Sequence, residues 1–229
     1  MVDGKSNEIT AIPALLETLS LKNCIVTLDA MGCQKAIAGR ILERHADYLL
    51  VLKANQGKAL LAIRECCEQH CFAHGATGPV FDAFDDSHGR LVRRRVFVCP
   101  EAASLEALRA WPGLRTVLAV ETIRGVNGSG KVEAEIRYFL SSCGDDPKVL
   151  IQAIRRHWTI ENGLHWVLDV TFREDDSRVR DRTAARNLAI LRKVAINLIS
   201  HGRTAQISMR ARRKQAAWND EYMLSLLAG

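Results

Sequence analysis

No apolar stretch in the 229-residue sequence approaches the roughly 20 residues that cross a bilayer, so a membrane-spanning helix is not expected. The opening "MVDGKSNEIT" has no basic segment leading into an apolar one, and no secretory leader is expected. The 7 cysteines are an odd set without framework spacing, which points to reduced thiols and a cytoplasmic location rather than a disulfide scaffold. Internal repeats and low-complexity tracts are absent. "VNGSGK" lacks the GxxxxGK[ST] spacing and lies between strand-like segments, which excludes a phosphate loop there. "CCEQHCFAH" sets Cys67 and Cys71, and likewise His70 and His74, four apart on a helix. No CxxC or HExxH partner accompanies them, so buried or half-buried thiols are expected rather than zinc.

What is present suits a soluble globular chain, 48% hydrophobic and 25% charged. The length fits one large domain, or a domain carrying an inserted subdomain, with a core that needs no disulfide or metal staple. The net charge of +6 is one-ended: residues 151–229 hold 14 Lys/Arg against 8 Asp/Glu, whereas residues 1–150 hold 18 of each. An Arg-rich excess at one end is either a solvated basic face or the footprint of a phosphate-backbone binder.

"KSNEITAIPALLETLSL" opens with a Ser/Asn cap and places Ile9, Ile12, Leu15, Leu16 and Leu19 at helical spacing. "CIVTLDA" reads as a strand, "QKAIAGRILERH" as a helix with Ile37, Ile41 and Leu42 on one face, and "DYLLVLKA" as a fully buried strand. "GKALLAIRECCEQHCFAH" is a further helix. This alternation argues for α/β packing with the two strands parallel. From about Pro79 to Ser142 the pattern becomes antiparallel, with turns at Ser87-His88-Gly89 and at the Asn-Gly of "VNGSG". Beyond Asp146 the chain reads as helical, ending in a terminal amphipathic helix over "RARRKQAAWNDEYMLSLL".

Two acids carry the candidate chemistry. Asp29 follows Ile25–Leu28, where a buried parallel strand emerges, the end at which open α/β sheets place their ligands. It either shapes the strand-to-helix turn or ligates a cation. Glu161 stands on a helix with His157 and His165 at i−4 and i+4, all three near one face, beside an apolar strip of Ile160, Leu164 and Leu168. A buried glutamate is costly unless it is paired or bound to a cation, so it either meets Arg155 or Arg156 or shares a hard cation with Asp29. Mg²⁺ takes few carboxylates plus water and phosphate oxygens, and paired ions clamp an in-line phosphoryl displacement. Lys53, Asn55 and Gln56 leave the second strand at the same sheet edge as Asp29. They suit phosphate or base-edge contacts, with helix capping the alternative for Asn55. His88 and Arg90, followed by Arg93, Arg94 and Arg95, are either DNA contacts or a solvated hairpin.

"KSNEITAIPALLETLSLKNCIVTLDAMGCQKAIA", "DYLLVLKANQ", "SHGR" and "IRRHWTIENGLHWVLDVTFREDDSRVR" together resemble the H-repeat-associated group of bacterial insertion-sequence transposases. The resemblance runs from about Lys5 to Ser200, in order. It implies a DDE enzyme: an α/β, ribonuclease-H-like fold with an inserted antiparallel β subdomain and a helical C-terminal region. The implied division is residues 1–78 as the first part of the core, 79–142 as the β-rich insert, 143–200 as its helical completion, and 201–229 as a basic tail. Asp29 matches the second catalytic aspartate and Glu161 the catalytic glutamate, both as ligands of Mg²⁺ or Mn²⁺. The 132-residue separation fits a triad interrupted by the insert. Related enzymes carry Arg four residues before the glutamate, where this chain has His157. The implied partner is double-stranded DNA, both element ends and target, bound by a possible homo-oligomer. Arg155, Arg156, His157, Arg173 and Arg178 join Lys53, Asn55, Gln56, His88 and Arg90 as backbone-positioning residues.

The family's first aspartate belongs on a strand ahead of two more strands and a helix. Asp3-Gly4-Lys5 mimics its surroundings, but the residues between Asp3 and Asp29 cannot hold two strands of about five residues each beside the predicted helix. The chain is therefore expected to lack its N-terminal strands and first catalytic carboxylate, to expose a sheet edge, and to be inactive in transposition alone. Two other functions stay open: a non-catalytic DNA-binding remnant that competes with an intact transposase, and a metal-dependent nuclease that cuts without element ends.

Overall fold

The computed structural model describes residues 8–73, 78–87, 90–126, 132–144, 146–201 and 207–228; the side chains at positions 8, 86, 87, 90, 126, 161, 162 and 201 fall outside that description. The chain forms two compact units, residues 2–157 and residues 158–229.

The first unit is mixed α/β. Helix α1 (Glu8–Thr18) leads to β1 (Ile25–Leu28), α2 (Lys35–Glu43) and β2 (Asp47–Leu52). The two strands pair in parallel, Ile25 opposite Asp47 through Leu28 opposite Leu50, as the alternation of strand and helix predicts. β2 is buried from Tyr48 to Leu52, because a strand covered on both faces must be apolar throughout. Ile37, Ala38 and Ile41 of α2 face the core with Leu42 packed beside them, matching the predicted face. In α1 only Leu16 is buried among the described residues, with Ile9 and Ile12 against the core. Leu15 and Leu19 face solvent, so the apolar stripe is narrower than its spacing suggests.

A single-turn 3₁₀ segment (Ala54–Gln56) leads from β2 into α3 (Gly57–Cys67), which continues as a π-helical turn (Glu68–Phe72). Then β3 (Phe81–Ser87), β4 (Arg90–Cys99), β5 (Thr116–Val126) and β6 (Val132–Ser141) run antiparallel. The chain's Asn-Gly turn and His88-Gly89 lie outside the described residues. These four strands do not form a sheet of their own. β6 pairs antiparallel with β2, giving one six-stranded sheet in the order β1-β2-β6-β5-β4-β3, with β1 at an edge.

Polar side chains finish that join. The β2–β6 register begins at Leu49 opposite Ser141, leaving Tyr48 just beyond the ladder. There the Tyr48 N–H donates to Ser142 Oγ at 2.9 Å, and that hydroxyl donates to Asp47 Oδ1 at 2.7 Å. Ser141 Oγ donates to the Tyr48 carbonyl at 3.1 Å. Across the core, the Tyr48 hydroxyl donates to the Pro112 carbonyl at 2.8 Å, and burial raises its pKa above the ordinary phenol value.

Helix α4 (Pro147–Ile160) crosses the division between units. The second unit then holds two π-helical turns, Glu161–His165 and Val167–Thr171, followed by α5 (Arg182–His201), α6 (Met209–Trp218) and α7 (Asp220–Ala228). Val167, Leu168 and Ile196 form the core there, with Leu164, Phe172 and Met209 packed against them. The terminal helix expected from the sequence is two helices. Asn219 is extended, and its Oδ1 accepts the Tyr222 N–H at 2.8 Å, so it ends α6 and caps α7. Ser208 and Asp181 accept backbone N–H groups in the first turns of α6 and α5.

Ser142→Ala removes the acceptor of a buried strand N–H, and should destabilise the protein by about 1–3 kcal/mol in urea unfolding. An unchanged midpoint would show that the β2–β6 corner does not depend on this hydroxyl.

Candidate functional site

Asp29 is the first residue after β1, exposed at the strand's carboxyl end. Its Oδ1 accepts the N–H groups of Met31 at 3.1 Å and Gly32 at 3.4 Å, so the turn-forming role is real. That role uses one oxygen; among the described residues Oδ2 has no hydrogen-bond partner. Turn-former and ligand are compatible, because the turn holds the carboxylate of this exposed residue through one oxygen only.

The Asp-Ala-Met-Gly loop is clamped from below and beside. A Cβ at Gly32 would lie 2.8 Å from Leu28 Cβ, so only glycine lets the loop fold back onto β1. From the segment after β2, Asn55 Nδ2 donates to the Ala30 carbonyl at 2.7 Å and Gln56 Nε2 donates to the Cys33 carbonyl at 3.0 Å. Neither amide caps a helix in this arrangement. Lys53, beside them, is exposed. Burial, and after it the Asp29 charge, push the Cys33 thiol up to about 12, so this neighbour stays a neutral thiol at physiological pH.

His157 on α4 reaches β1: its Nδ1 lies 3.1 Å from Thr27 Oγ1, two residues before Asp29. The Arg155 guanidinium lies 5.2 Å over the Phe81 ring, and Arg156 is exposed. Glu161 opens the first π-helical turn, in the second unit, and its side chain lies outside the description. The helix expected to carry His157, Glu161 and His165 changes after Ile160 from α-helical to a π-helical turn, Glu161–His165. His165 is exposed. The predicted apolar strip also divides: Ile160 is exposed, while Leu164 and Leu168 join the second unit's core.

The remaining predicted contacts separate. His88 lies outside the described residues, as does the Arg90 side chain. On β4, Arg93 forms a bidentate pair with Asp82, 2.9 and 2.6 Å, and holds that carboxyl below the usual carboxylate range. Arg95 pairs with Glu121 across β5. In the second unit Arg173 follows the last π turn at φ +52°, a left-handed conformation that favours glycine. It pairs with Asp176 at 2.7 Å on an open surface. It lines a cavity of about 460 Å³ with Asp169, Asp176, Arg210, Arg213 and Lys214. Four cations against two carboxylates make that concavity basic. Arg178 is exposed nearby in sequence.

The family model described as "Transposase DDE domain" matches residues 1–198. The chain belongs to this transposase family. Among curated relatives, the DDE domain is 40% identical over 230 residues to "Putative transposase YncI" of Escherichia coli O157:H7, covering 99% of this chain and 58% of that protein. It is 36% identical over 233 residues to "H repeat-associated putative transposase YhhI" of Escherichia coli K12, covering 99% and 61%. It is 42% identical over 100 residues to "H repeat-associated putative transposase YbfD" of the same strain, covering 42% and 38%. The chain thus spans 58–61% of the length of the relatives it matches along nearly all of its own. Among the described residues, no helix of this DDE domain is long and apolar enough to cross a membrane.

Sequence reasoning missed Arg210, Arg213 and Lys214, although "RARRK" announced a basic cluster, and it missed the clamping work of Asn55 and Gln56. Gly32→Ala should destabilise the DDE domain by about 1–3 kcal/mol through overpacking against Leu28. The measurement is chemical denaturation. Wild-type stability with Ala at this position would show that the loop has room to move.

Proposed function

We propose that the chain is the core of a DDE-type DNA transposase on a ribonuclease-H-like sheet, with Asp29 and Glu161 as two of its catalytic carboxylates. The observation that carries this reading is the free Oδ2 of Asp29 at the carboxyl end of β1, on a loop clamped by Asn55 and Gln56. An exposed carboxylate oxygen on a fixed loop is the donor a hard divalent cation takes, so the residue present fits Mg²⁺ or Mn²⁺. Bound there, the cation would activate water or a DNA 3′-hydroxyl and neutralise charge on the attacked phosphodiester. The chain's own part is positional. Gly32, Asn55 and Gln56 hold the Asp29 loop, and the contact between Thr27 and His157 ties α4 to β1.

Two carboxylates are one short of the three that the chemistry uses. We infer that the chain by itself has little strand-transfer activity while retaining affinity for DNA. The basic cavity around Arg173, Arg210, Arg213 and Lys214 favours this second, DNA-binding reading independently of catalysis. Arginine at a left-handed position supports a role for the Arg173 side chain, since glycine there would relieve strain.

In Mg²⁺ or Mn²⁺ with end-bearing duplex DNA, the chain should bind with steep salt dependence and transfer strands weakly. Asp29→Ala and Glu161→Ala should leave that binding within about twofold. A fast strand-transfer rate abolished by Asp29→Ala would overturn the proposed defect. Cutting without element ends would instead identify a nuclease. Arg173→Gly should lower the salt slope by about one while keeping or raising the melting temperature. Unchanged DNA affinity would remove Arg173 from the interface.

A further inference from the structure

The sequence offers cysteines on α3 with no visible metal partner, and the fold supplies one. Cys67 and Cys71 lie four apart where α3 passes into the π turn, and Cys99 ends β4. Their three Sγ atoms lie within 4.8 Å of one another, and all three residues are buried. A fourth buried thiol stands beside one of them: Cys66 Sγ is 3.8 Å from Cys99 Sγ. Glu101, in the 3₁₀ turn after β4 (Pro100–Ser104), brings Oε2 within 3.7 Å of Cys99 Sγ. Four of the 7 cysteines therefore converge from two segments, while Cys24, Cys33 and Cys143 stand apart.

Zinc–thiolate bonds of about 2.3 Å place tetrahedral ligands about 3.8 Å apart. The Cys66–Cys99 separation already has that value, and the sulfurs of Cys67, Cys71 and Cys99 lie within 4.8 Å of one another. The donors are all soft sulfur, which selects zinc over the hard cations suited to Asp29. Access exists as well, since Cys71, Phe72, Arg95 and Phe97 line a surface cavity of about 460 Å³.

We propose that Cys67, Cys71 and Cys99, with Cys66 as fourth ligand, form a buried thiolate site for a structural zinc ion. The ion binds four thiolates, each thiol releasing its proton to solvent, and no coordination position is left open for chemistry. It fastens α3 to the end of β4, so it joins the helix after the Asp29-side strands to the antiparallel part of the sheet. The site is separate from the carboxylates and does not depend on the transposase reading.

The test uses the full chain, stripped of metal with a chelator, kept reduced with a phosphine and titrated with Co²⁺. One equivalent should bind and produce thiolate-to-cobalt charge-transfer absorption with tetrahedral d–d bands. One equivalent of Zn²⁺ should displace it and raise the melting temperature. Cys71→Ser and Cys99→Ser should weaken binding at least tenfold, whereas Cys24→Ser and Asp29→Ala should leave the spectrum unchanged. The wild-type titration decides even if a cysteine variant fails to fold. Folded, reduced wild-type chain that gives no charge-transfer band overturns the site. So does a band that survives Cys71→Ser in full. A Cys66–Cys99 disulfide recovered from chain purified without reductant also overturns it, in favour of a redox pair.

Discussion

β2 carries a parallel neighbour on one side and an antiparallel neighbour on the other, and the first unit depends on that double pairing. Along β2, Tyr48, Leu49, Leu50, Val51 and Leu52 are all buried. Burying side chains of this size stabilises the fold by about 1.5–3 kcal/mol each. The parallel pairing has a functional consequence. Because β1 and β2 run the same way, Asp29 and the segment Lys53–Gln56 leave the sheet at the same end. That is why Asn55 and Gln56 can reach the carbonyls of Ala30 and Cys33. The antiparallel pairing with β6 makes the later strands an extension of the same sheet, closed at the corner by Ser141, Ser142 and Asp47.

Charge is handled differently in the two units. On β4 the arginines meet carboxylates from adjacent strands, Arg93 with Asp82 and Arg95 with Glu121, which agrees with the zero net charge of residues 1–150. Such pairs take cations out of circulation on that part of the sheet. In the second unit Arg192 meets Glu174, yet Arg173, Arg210, Arg213 and Lys214 outnumber the carboxylates around their cavity. The one-ended charge in the sequence becomes a local concavity that gathers several cations.

Much of the first unit was legible because its signals are local. Strand, helix, strand specifies a parallel pair with Asp29 at the carboxyl end of the first strand, and the Asp-Ala-Met-Gly string carried a resemblance that the family match bears out. Less legible were features that a short-range pattern cannot encode. The chain passes from α4 into π-helical turns at Glu161–His165 and Val167–Thr171, and no residue type signals them. Asn219 splits the last helix because its side chain caps the next one, a choice that competes with simple continuation.

The sequence by itself determined the alternation of elements, the placement of Asp29 at a strand end and the basic bias of the last third. Each follows from side-chain periodicity or charge, which need no partner. Only the tertiary structure decided that Asn55 and Gln56 hold the Asp29 loop, that β6 joins β2, and that Cys99 meets Cys66, Cys67 and Cys71. These are contacts between residues far apart along the chain. They depend on which strand lies beside which, a matter of register and burial that no local run of residues contains.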